Sequence, residues 1–181
     1  MKRRLALALP VVAAAGLLAG CASAPTPADY AAEKPVLDLK TYFNGELLAH
    51  GIFTDRAGKV VRRFTVKMTG TWNGNQGTLD ERFTYSDGKT ERRVWRLTDE
   101  GNGRWSGRAD DVVGVAEGRS AGNALNWSYT LALPVDGKVY EVQFDDWMYL
   151  MDDRVMLNRA RMSKFGFHLG DVTLSFTKPG G

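Results

Sequence analysis

Apolar and polar residues alternate along most of the chain from Leu37 onward, and turn signals interrupt this alternation about every ten residues. A period of two places every second side chain on the same face of an extended strand. Turn sequences such as Asp55-Arg56-Ala57-Gly58 and Asp87-Gly88 separate successive runs and are typical of hairpins. The chain has no long stretch with the period of an amphipathic helix. We therefore expect an all-β chain of about nine or ten antiparallel strands.

Antiparallel strands linked in sequence can close on themselves, which removes the unpaired edges of the sheet. We predict a lipocalin-like β-barrel that forms a single domain over residues 36–181, with a β-sandwich as the alternative. A barrel of about eight to ten strands has an interior wide enough for packed side chains or one small ligand. Within this pattern we place a strand at 112–117, a turn at 118–122 and the next strand at 125–133.

The N-terminal residues have the organisation of a bacterial signal peptide. A cationic start is followed by an apolar run that is too short to cross a bilayer. Leu18-Ala19-Gly20-Cys21 comes next and resembles the lipobox of bacterial lipoproteins, in which cleavage precedes the cysteine and the cysteine is acylated. Cys21 is the only cysteine of the chain and has no disulfide partner. We predict a signal peptide at 1–20 and lipidation of Cys21.

The predicted anchor has consequences for location. Residues 21–35 are rich in alanine and proline, and we predict that they form a lipidated linker between the membrane and the barrel. In many two-membrane bacteria an aspartate after the cysteine retains a lipoprotein in the inner membrane. The chain has Ala22 at this position. By resemblance to that sorting rule we expect an outer-membrane lipoprotein that faces the periplasm.

The net charge of +3 comes from the signal peptide. Removing residues 1–20 takes away three basic residues and no acidic ones, which leaves 21 of each. A neutral mature chain lacks the basic surface that a nucleic-acid partner requires. We therefore expect no nucleic-acid partner, and a membrane partner only through the lipid on Cys21.

Charged residues interrupt the apolar faces of two predicted hairpins. In the hairpin 139–163, Asp146 shares a face with Phe144 and Tyr140, and a tight turn places Asp146 opposite Arg159 and Phe144 opposite Arg161. An isolated buried carboxylate is costly, so this register predicts an Asp146–Arg159 ion pair.

The hairpin around Asp87-Gly88 repeats this arrangement. Glu81 shares a face with Phe83 and Tyr85. A two-residue turn at Asp87-Gly88 would place Glu81 opposite Val94, with Arg92 and Arg96 on the diagonals. Both hairpins therefore predict an apolar interior that also carries acids and arginines.

These faces predict a site for a lipid, a fatty acid or another anionic amphiphile. Aromatic walls would hold the chain, and arginines would bind the head group through both carboxylate oxygens. The candidate ligand-binding residues are Glu81, Phe83, Tyr85, Arg92, Arg96, Tyr140, Phe144, Asp146, Arg159 and Arg161. The alternatives are a non-catalytic envelope scaffold with a packed core, and a lipocalin-like enzyme acting on a lipid with Asp146 or Glu81 as acid or base.

Catalytic and cofactor motifs are missing from the sequence. The two histidines, His50 and His168, are far apart, and no metal-ligand spacing occurs. The sequence contains no serine-centred elbow, phosphate loop or dinucleotide fingerprint. We expect no metal, no cofactor and no catalytic residue.

The chain resembles the bacterial lipoproteins grouped as domain of unknown function 3833. The resemblance spans nearly all of the mature chain, and its strongest stretches are Asp145-Asp146-Trp147-Met148 and Asn158-Arg159-Ala160, with Lys164-Phe165-Gly166. It implies an envelope lipoprotein and transfers no activity or catalytic residue. The association of such proteins with fatty-acid-modifying enzymes implies a connection to lipids.

Overall fold

The computed structural model describes residues 23–180, so the predicted signal peptide and Cys21 lie outside the described residues. A 3-10 helix at Pro27–Tyr30 and a short helix α1 (Leu39–Tyr42) precede the strands. The strands are β1 (Gly45–Asp55), β2 (Val60–Asn73), β3 (Gln76–Tyr85), β4 (Thr90–Gly101), β5 (Arg104–Arg108), β6 (Ala116–Ala121), β7 (Ala124–Val135), β8 (Lys138–Leu150), β9 (Val155–Lys164) and β10 (Phe167–Thr177). Between residues 23 and 180, no helix has the length and apolarity to cross a membrane.

The ten strands form a closed antiparallel barrel in which each strand pairs with its neighbours in sequence. β10 closes the barrel by pairing with β1, from Leu48 opposite Thr177 to Asp55 opposite Gly170. Because closure leaves one continuous sheet, the prediction of an all-β antiparallel barrel is confirmed and the β-sandwich alternative is wrong.

The interior follows from the alternation in the sequence. In β2, for example, Phe64, Val66 and Met68 point inward and are buried, whereas the residues between them face outward. Burial of such a side chain contributes roughly 1.5–3 kcal/mol. Gly51 of β1 lies opposite Phe64, and a Cβ at this position would collide with the Phe64 ring. The absent side chain therefore makes room for the aromatic ring.

The segment before β1 covers one end of the barrel. Asp38 caps α1 by accepting hydrogen bonds from the backbone N–H groups of Lys40 and Thr41. Tyr42 is buried and its hydroxyl donates to the carbonyl oxygens of Arg154 and Phe176, at 3.1 and 3.3 Å. We call residues 37–44 the plug, and this end of the barrel the closed end.

Part of the predicted linker 21–35 contacts the barrel. The ring centroid of Tyr30, in the 3-10 helix, lies 5.3 Å from that of Tyr149 and 5.9 Å from that of Trp147, both on the outer face of β8. The backbone N–H of Leu37 donates to the carbonyl oxygen of Gly122 at 2.8 Å. The chain therefore reaches the plug along the outer wall beside the β6–β7 turn.

The opposite end, which we call the mouth, has no such cover among the described residues. It is surrounded by the connections 56–59, 86–89, 109–115, 136–137 and 165–166. β5 and β6 are short and occupy the half of the barrel near the closed end, so the segment 109–115 replaces them at the mouth. This segment pairs with β7 through Val113 N–H to Thr130 O and Ala132 N–H to Asp111 O.

The strand prediction at 112–117 and the turn prediction at 118–122 are wrong. β6 covers Ala116–Ala121, and Val112 makes an isolated bridge to Leu131. Gly118 is in the strand because Trp127 packs over it, and a Cβ at this position would collide with the Trp127 ring. The low strand propensity of glycine predicts that a strand ends at Gly118, but here the missing side chain makes space for a core side chain.

Candidate functional site

The barrel encloses a cavity of about 910 Å³. Its lining extends from Leu39 and Phe43 of the plug to Val135 and Leu169 at the mouth. Ligand sites in proteins typically measure roughly 300–1,000 Å³. The interior is therefore large enough for a small molecule.

Aromatic side chains form much of the cavity wall. Tyr129 and Phe144 stack with their ring centroids 4.9 Å apart and their planes 7° from parallel. Trp95 meets Tyr129 edge to face at 5.4 Å. On the adjoining wall Phe83 stacks with Tyr85 at 6.1 Å. These rings provide a rigid apolar surface for a hydrophobic ligand.

A first polar group on the wall consists of Glu81, Arg93 and Asp111. Glu81 of β3 lies directly opposite Arg93 of β4, with Glu81 Oε2 3.8 Å from Arg93 Nη1. Arg93 Nη2 also binds Asp111 Oδ2 at 2.7 Å, and its Nε donates to the same carboxylate. The Glu81 and Arg93 side chains are 11% and 17% exposed, so both charges are largely removed from water.

Arg93 lies where the barrel wall is incomplete. Pairing between β4 and β5 covers Arg96 to Gly101, so residues 90–95 of β4 face the segment 109–115 instead of a strand. The Arg93–Asp111 ion pair joins these two parts, and an exposed pair between Arg96 and Asp110 lies next to it. Side-chain contacts therefore hold this part of the wall together.

A second polar group consists of Asp146, Asn158 and Tyr129. Asp146 of β8 and Asn158 of β9 are buried, and the Asn158 Nδ2 donates to Asp146 Oδ1. The same nitrogen donates to the carbonyl oxygen of Trp147 at 3.2 Å. Within residues 23–180, the buried Oδ1 of Asn158 has no hydrogen-bond partner. This group therefore presents carboxylate and amide oxygens to the cavity.

Burial changes the protonation of both carboxyl groups. Burial raises the pKa of Glu81 to about 7, although the positive charge of Arg93 acts in the opposite direction. Burial likewise raises the pKa of Asp146 to about 7, with Asn158 opposing the change and Asp145 adding to it. Burial, followed by the charge of Asp146, raises the pKa of Tyr129 well above its usual value. Glu81 and Asp146 can therefore change protonation near neutral pH.

The predicted register of the β3–β4 hairpin is wrong by one residue. Glu81 faces Arg93 instead of Val94, because Tyr85 pairs with Lys89 around a three-residue loop. Gly88 closes this loop with a φ of +83°. Since side chains alternate, the shift moves Arg92 and Arg96 to the outer face and turns Arg93 inward.

The predicted register of β8–β9 is wrong in the same way. Asp146 faces Ala160, and Arg159 faces Trp147, so the predicted Asp146–Arg159 ion pair does not form. The backbone N–H of Met151 donates to the carbonyl oxygen of Val155, which leaves a three-residue loop. The prediction that Phe144 faces Arg161 is also wrong, since Arg161 lies opposite Asp145 on the outer face.

The structure thus divides the ten candidate residues. Six of them line the cavity: Glu81, Phe83, Tyr85, Arg92, Phe144 and Asp146. Tyr140 lies at the mouth and is 39% exposed. The four arginines have exposed side chains. Arg92 borders the cavity but binds Asp80, and Arg96 binds Asp110. Arg159 is within 3.7 Å of Asp171, and Arg161 is exposed on β9.

Sequence reasoning did not select several residues of the site, among them Arg93, Trp95, Tyr129 and Asn158. Arg93, Trp95 and Asn158 alternate along their strands with the residues that we assigned to the interior, so we expected them on the outer face. The assumed turn lengths determined which face was expected to point inward. Among residues 23–180, no three metal-binding side chains lie close enough together to hold an ion.

Solved structures share this fold at low sequence identity. An S-type phycobiliprotein lyase, CpeS, from Guillardia theta superposes with a TM-score of 0.59 and 5% identity, over 77% of this chain and 90% of that chain. A DUF3598-family protein of unknown function from Nostoc punctiforme gives 0.51 and 13%, over 82% of this chain and 51% of that chain. These similarities establish a lipocalin-like barrel fold and nothing about the ligand.

Sequence comparison gives a family but no characterised relative. A family model described as "Protein of unknown function (DUF3833)" matches residues 15–178. A search of curated protein sequences finds no match.

Proposed function

The chain belongs to the DUF3833 family of proteins of unknown function, and from the geometry of its cavity we propose that it binds a small amphiphile of the lipid class. The apolar part of the ligand lies against the aromatic walls. Its polar part lies against Glu81, Asp146 and Asn158 and donates hydrogen bonds. The observation that carries this proposal is a group of acceptor oxygens inside a cavity whose walls are largely aromatic and aliphatic.

The polar group supports a donor head group because the nitrogen donors of Arg93 and Asn158 are already occupied. Arg93 directs its guanidinium to Asp111 and Glu81, and the Asn158 Nδ2 binds Asp146 and Trp147. The oxygens that remain available are those of two carboxyl groups and the Oδ1 of Asn158. A hydroxyl or an ammonium group would satisfy them, and buried acceptors favour such a partner strongly.

An anionic head group fits this cavity less well. The expected fatty-acid site depended on Arg92, Arg96, Arg159 and Arg161, and all four have exposed side chains. A carboxylate in the cavity would meet Glu81 and Asp146. The three arginines that line the cavity, Arg62, Arg92 and Arg93, each already bind an aspartate. Once these carboxyl groups ionise, at about pH 7 and above, they repel a carboxylate ligand at close range in a poorly hydrated site. We therefore place alcohols and amines ahead of fatty acids.

Three ligands with the same sixteen-carbon chain test this order: hexadecylamine, hexadecanol and palmitate. The chain from residue 23 is suitable, since the described residues include the complete barrel and its core. Native mass spectrometry at neutral pH gives the stoichiometry, and fluorescence of the cavity residues Trp95 and Trp127 gives the affinity. We expect one bound molecule, with the amine and the alcohol binding more tightly than palmitate.

Asp145 provides a matched control for the polar group. Asp146→Asn removes a carboxylate from the cavity, whereas Asp145→Asn makes the same change on the outer face of the same strand. We expect Asp146→Asn to weaken hexadecylamine binding about tenfold and Asp145→Asn to leave it unchanged. If palmitate bound more tightly than the amine and the alcohol, the proposal that the head group donates hydrogen bonds would be overturned. Binding of none of the three would overturn the proposal in favour of the scaffold function.

We also propose that the protein is an outer-membrane lipoprotein facing the periplasm, with Cys21 acylated after cleavage behind residue 20. The lipobox and Ala22 support this location. The test is the intact mass of the protein purified from the envelope, together with its position in a membrane density gradient. A mass without acyl chains, or release of the protein into the soluble fraction, would contradict it.

A catalytic function on the same ligand is the second candidate. Glu81 and Asp146 have pKa values of about 7, which suits a general acid and a general base. The arginine partner predicted from the sequence would lower the pKa of Asp146 and oppose catalysis, but Asp146 has no such partner among the described residues. Recovery of the bound amphiphile after long incubation distinguishes the two functions. An unchanged mass supports binding alone, whereas a modified ligand supports catalysis.

A further inference from the structure

Exposed apolar side chains are concentrated at the mouth of the barrel. Ten of the fourteen large apolar side chains that residues 23–180 expose lie in the mouth connections or the adjoining strand ends. The most exposed are Phe165 at 84% and Phe167 at 75%. Val115 contributes from the connection 109–115, and Val61 and Val139 contribute from the mouth ends of β2 and β8. We call this set of side chains the mouth rim. Patches of this kind mark interaction surfaces on soluble proteins.

Phe165 is held in an unfavourable backbone conformation. Lys164 pairs with Phe167 around the two-residue turn Phe165-Gly166, and φ is +52° at Phe165 and +79° at Gly166. This turn strongly favours asparagine or aspartate at its first position, because a bulky side chain is strained at positive φ. The equivalent β7–β8 turn has Asp136-Gly137 at φ values of +49° and +76°. The β9–β10 turn therefore accepts strain that positions a phenyl ring in solvent.

Lysines and the cavity wall adjoin the mouth rim. Lys164 Nζ lies 4.9 Å from the ring centroid of Phe165 and 5.2 Å from that of Tyr140. Val61 and Leu169 belong to the mouth rim and also line the cavity, so apolar surface continues from the outside into the barrel. An amphiphile could follow this surface without exposing its chain to water.

We propose that the mouth rim docks onto the surface of a lipid bilayer. Aromatic tips flanked by lysine are the composition of membrane interfaces, where the rings enter the headgroup region and the ammonium groups remain in water. Lys59, Lys138 and Lys164 each adjoin an apolar tip. The exposed apolar side chains of the mouth rim lie on separate turns around an open cavity. This arrangement suits a deformable lipid surface better than a protein partner, whose interface would have a continuous packed core. This proposal depends on the rim and is independent of the ligand.

Single-cysteine labelling tests the docking directly. Residues 23–181 contain no cysteine, so Phe165→Cys provides one attachment point for an environment-sensitive dye. Met151→Cys, in the connection at the closed end, is the matched control and replaces a residue that is also exposed. The probe is a vesicle of phosphatidylethanolamine and phosphatidylglycerol. We expect a blue shift of the dye at position 165 and none at 151.

Cosedimentation with the same vesicles measures the energetic contribution of the rim. Phe165→Asn with Phe167→Thr should weaken binding about tenfold or more, whereas Leu157→Thr on the outer wall should not change it. Phe165→Asn alone should raise the melting temperature because it relieves the strained turn, which shows that the loss of binding is not unfolding. Binding that survives the double substitution, equal blue shifts at both positions, or a wild-type chain that ignores vesicles and captures a defined envelope protein would overturn the proposal.

Discussion

Arg93 lies opposite Glu81 inside the barrel but binds Asp111 more closely, at 2.7 Å compared with 3.8 Å. One guanidinium therefore has two roles. It holds the segment 109–115 against β4 where the barrel wall is incomplete, and it is the cation that opposes the burial of Glu81. The stability of the wall and the charge in the cavity are consequently linked.

Replacing Arg93 should destabilise the barrel strongly. Arg93→Met keeps much of the side-chain volume but leaves the carboxyl of Glu81 buried without its cation, and it also releases Asp111. Breaking a buried pair by removing one partner costs about 3–5 kcal/mol. The free energy of unfolding in urea at neutral pH measures the loss. Arg92→Met, one residue away with its side chain 59% exposed, should cause little change.

The double variant separates charge from packing. Adding Glu81→Gln to Arg93→Met removes the unpaired carboxylate, so we expect it to recover part of the lost stability. If the effects of the two substitutions on the free energy of unfolding are additive, the Glu81–Arg93 interaction is not the source of the lost stability.

Because of Asp146, the free energy of unfolding of the barrel should decrease as the pH rises. Its pKa is about 7 in the folded protein, compared with an ordinary value of 3.8 for an exposed aspartate, so between about pH 4 and pH 7 the folded state retains a proton that the unfolded chain has lost. Raising the pH through this window therefore costs stability, on the order of 4 kcal/mol when complete. Glu81 contributes in the same direction.

Asp146→Asn isolates this effect from the other carboxyl groups. The variant should become progressively more stable relative to the wild type as pH rises from 5 to 8, because it has no carboxyl to ionise. Urea unfolding at several pH values measures the difference. The Asp145→Asn control removes only a lesser contribution to the raised pKa of Asp146 and should show a much smaller trend. A difference between Asp146→Asn and wild type that is independent of pH would contradict the raised pKa.

The barrel was predictable because its signals are local and repeated. Alternation assigns strands, glycine turns separate them, and consecutive antiparallel strands without edges leave few other closed arrangements. Closure by β10 on β1 and the position of the plug depend on contacts between distant residues. Tyr42, for example, binds the carbonyl oxygens of Arg154 and Phe176, and its local sequence does not indicate this.

The polar groups of the site were predicted less well because a change of one residue in the length of a loop exchanges the inward and outward faces of the following strand. Glu81 and Asp146 were placed correctly because their own strands have clear alternation. Their partners were assigned through assumed turns, and both loops contain three residues where another turn was assumed. The signal for the correct choice was present in β9, where Met156 and Ala160 are apolar and share a face with Asn158.

Asp152 should determine the β8–β9 register. Its Oδ1 accepts hydrogen bonds from the backbone N–H groups of Arg154 and Val155, at 2.8 and 2.7 Å, and these bonds lower its pKa. Asp152→Ala removes the acceptor and should lower the melting temperature. Asp153→Ala, in the same loop, is the matched control and should have a smaller effect. Equal effects of the two substitutions would show that the loop is not organised by Asp152.

Gly70 should be required for the plug to close the barrel. It lies on β2 opposite Gly45, and a Cβ at this position would collide with the carbonyl oxygen of Phe43. Gly70→Ala therefore cannot be accommodated by a side-chain rotation, because the obstructing atom belongs to the backbone. The plug must move, which breaks the hydrogen bond from Trp72 Nε1 to Phe43 O. We expect a loss of about 1–3 kcal/mol and faster amide exchange in residues 37–44. Thr71→Ala, on the outer face of the same strand, should change neither quantity. Normal exchange in the plug of Gly70→Ala would mean that β2 moves instead, and that the hydrogen bonds of Leu37 and Tyr42 are enough to hold the plug.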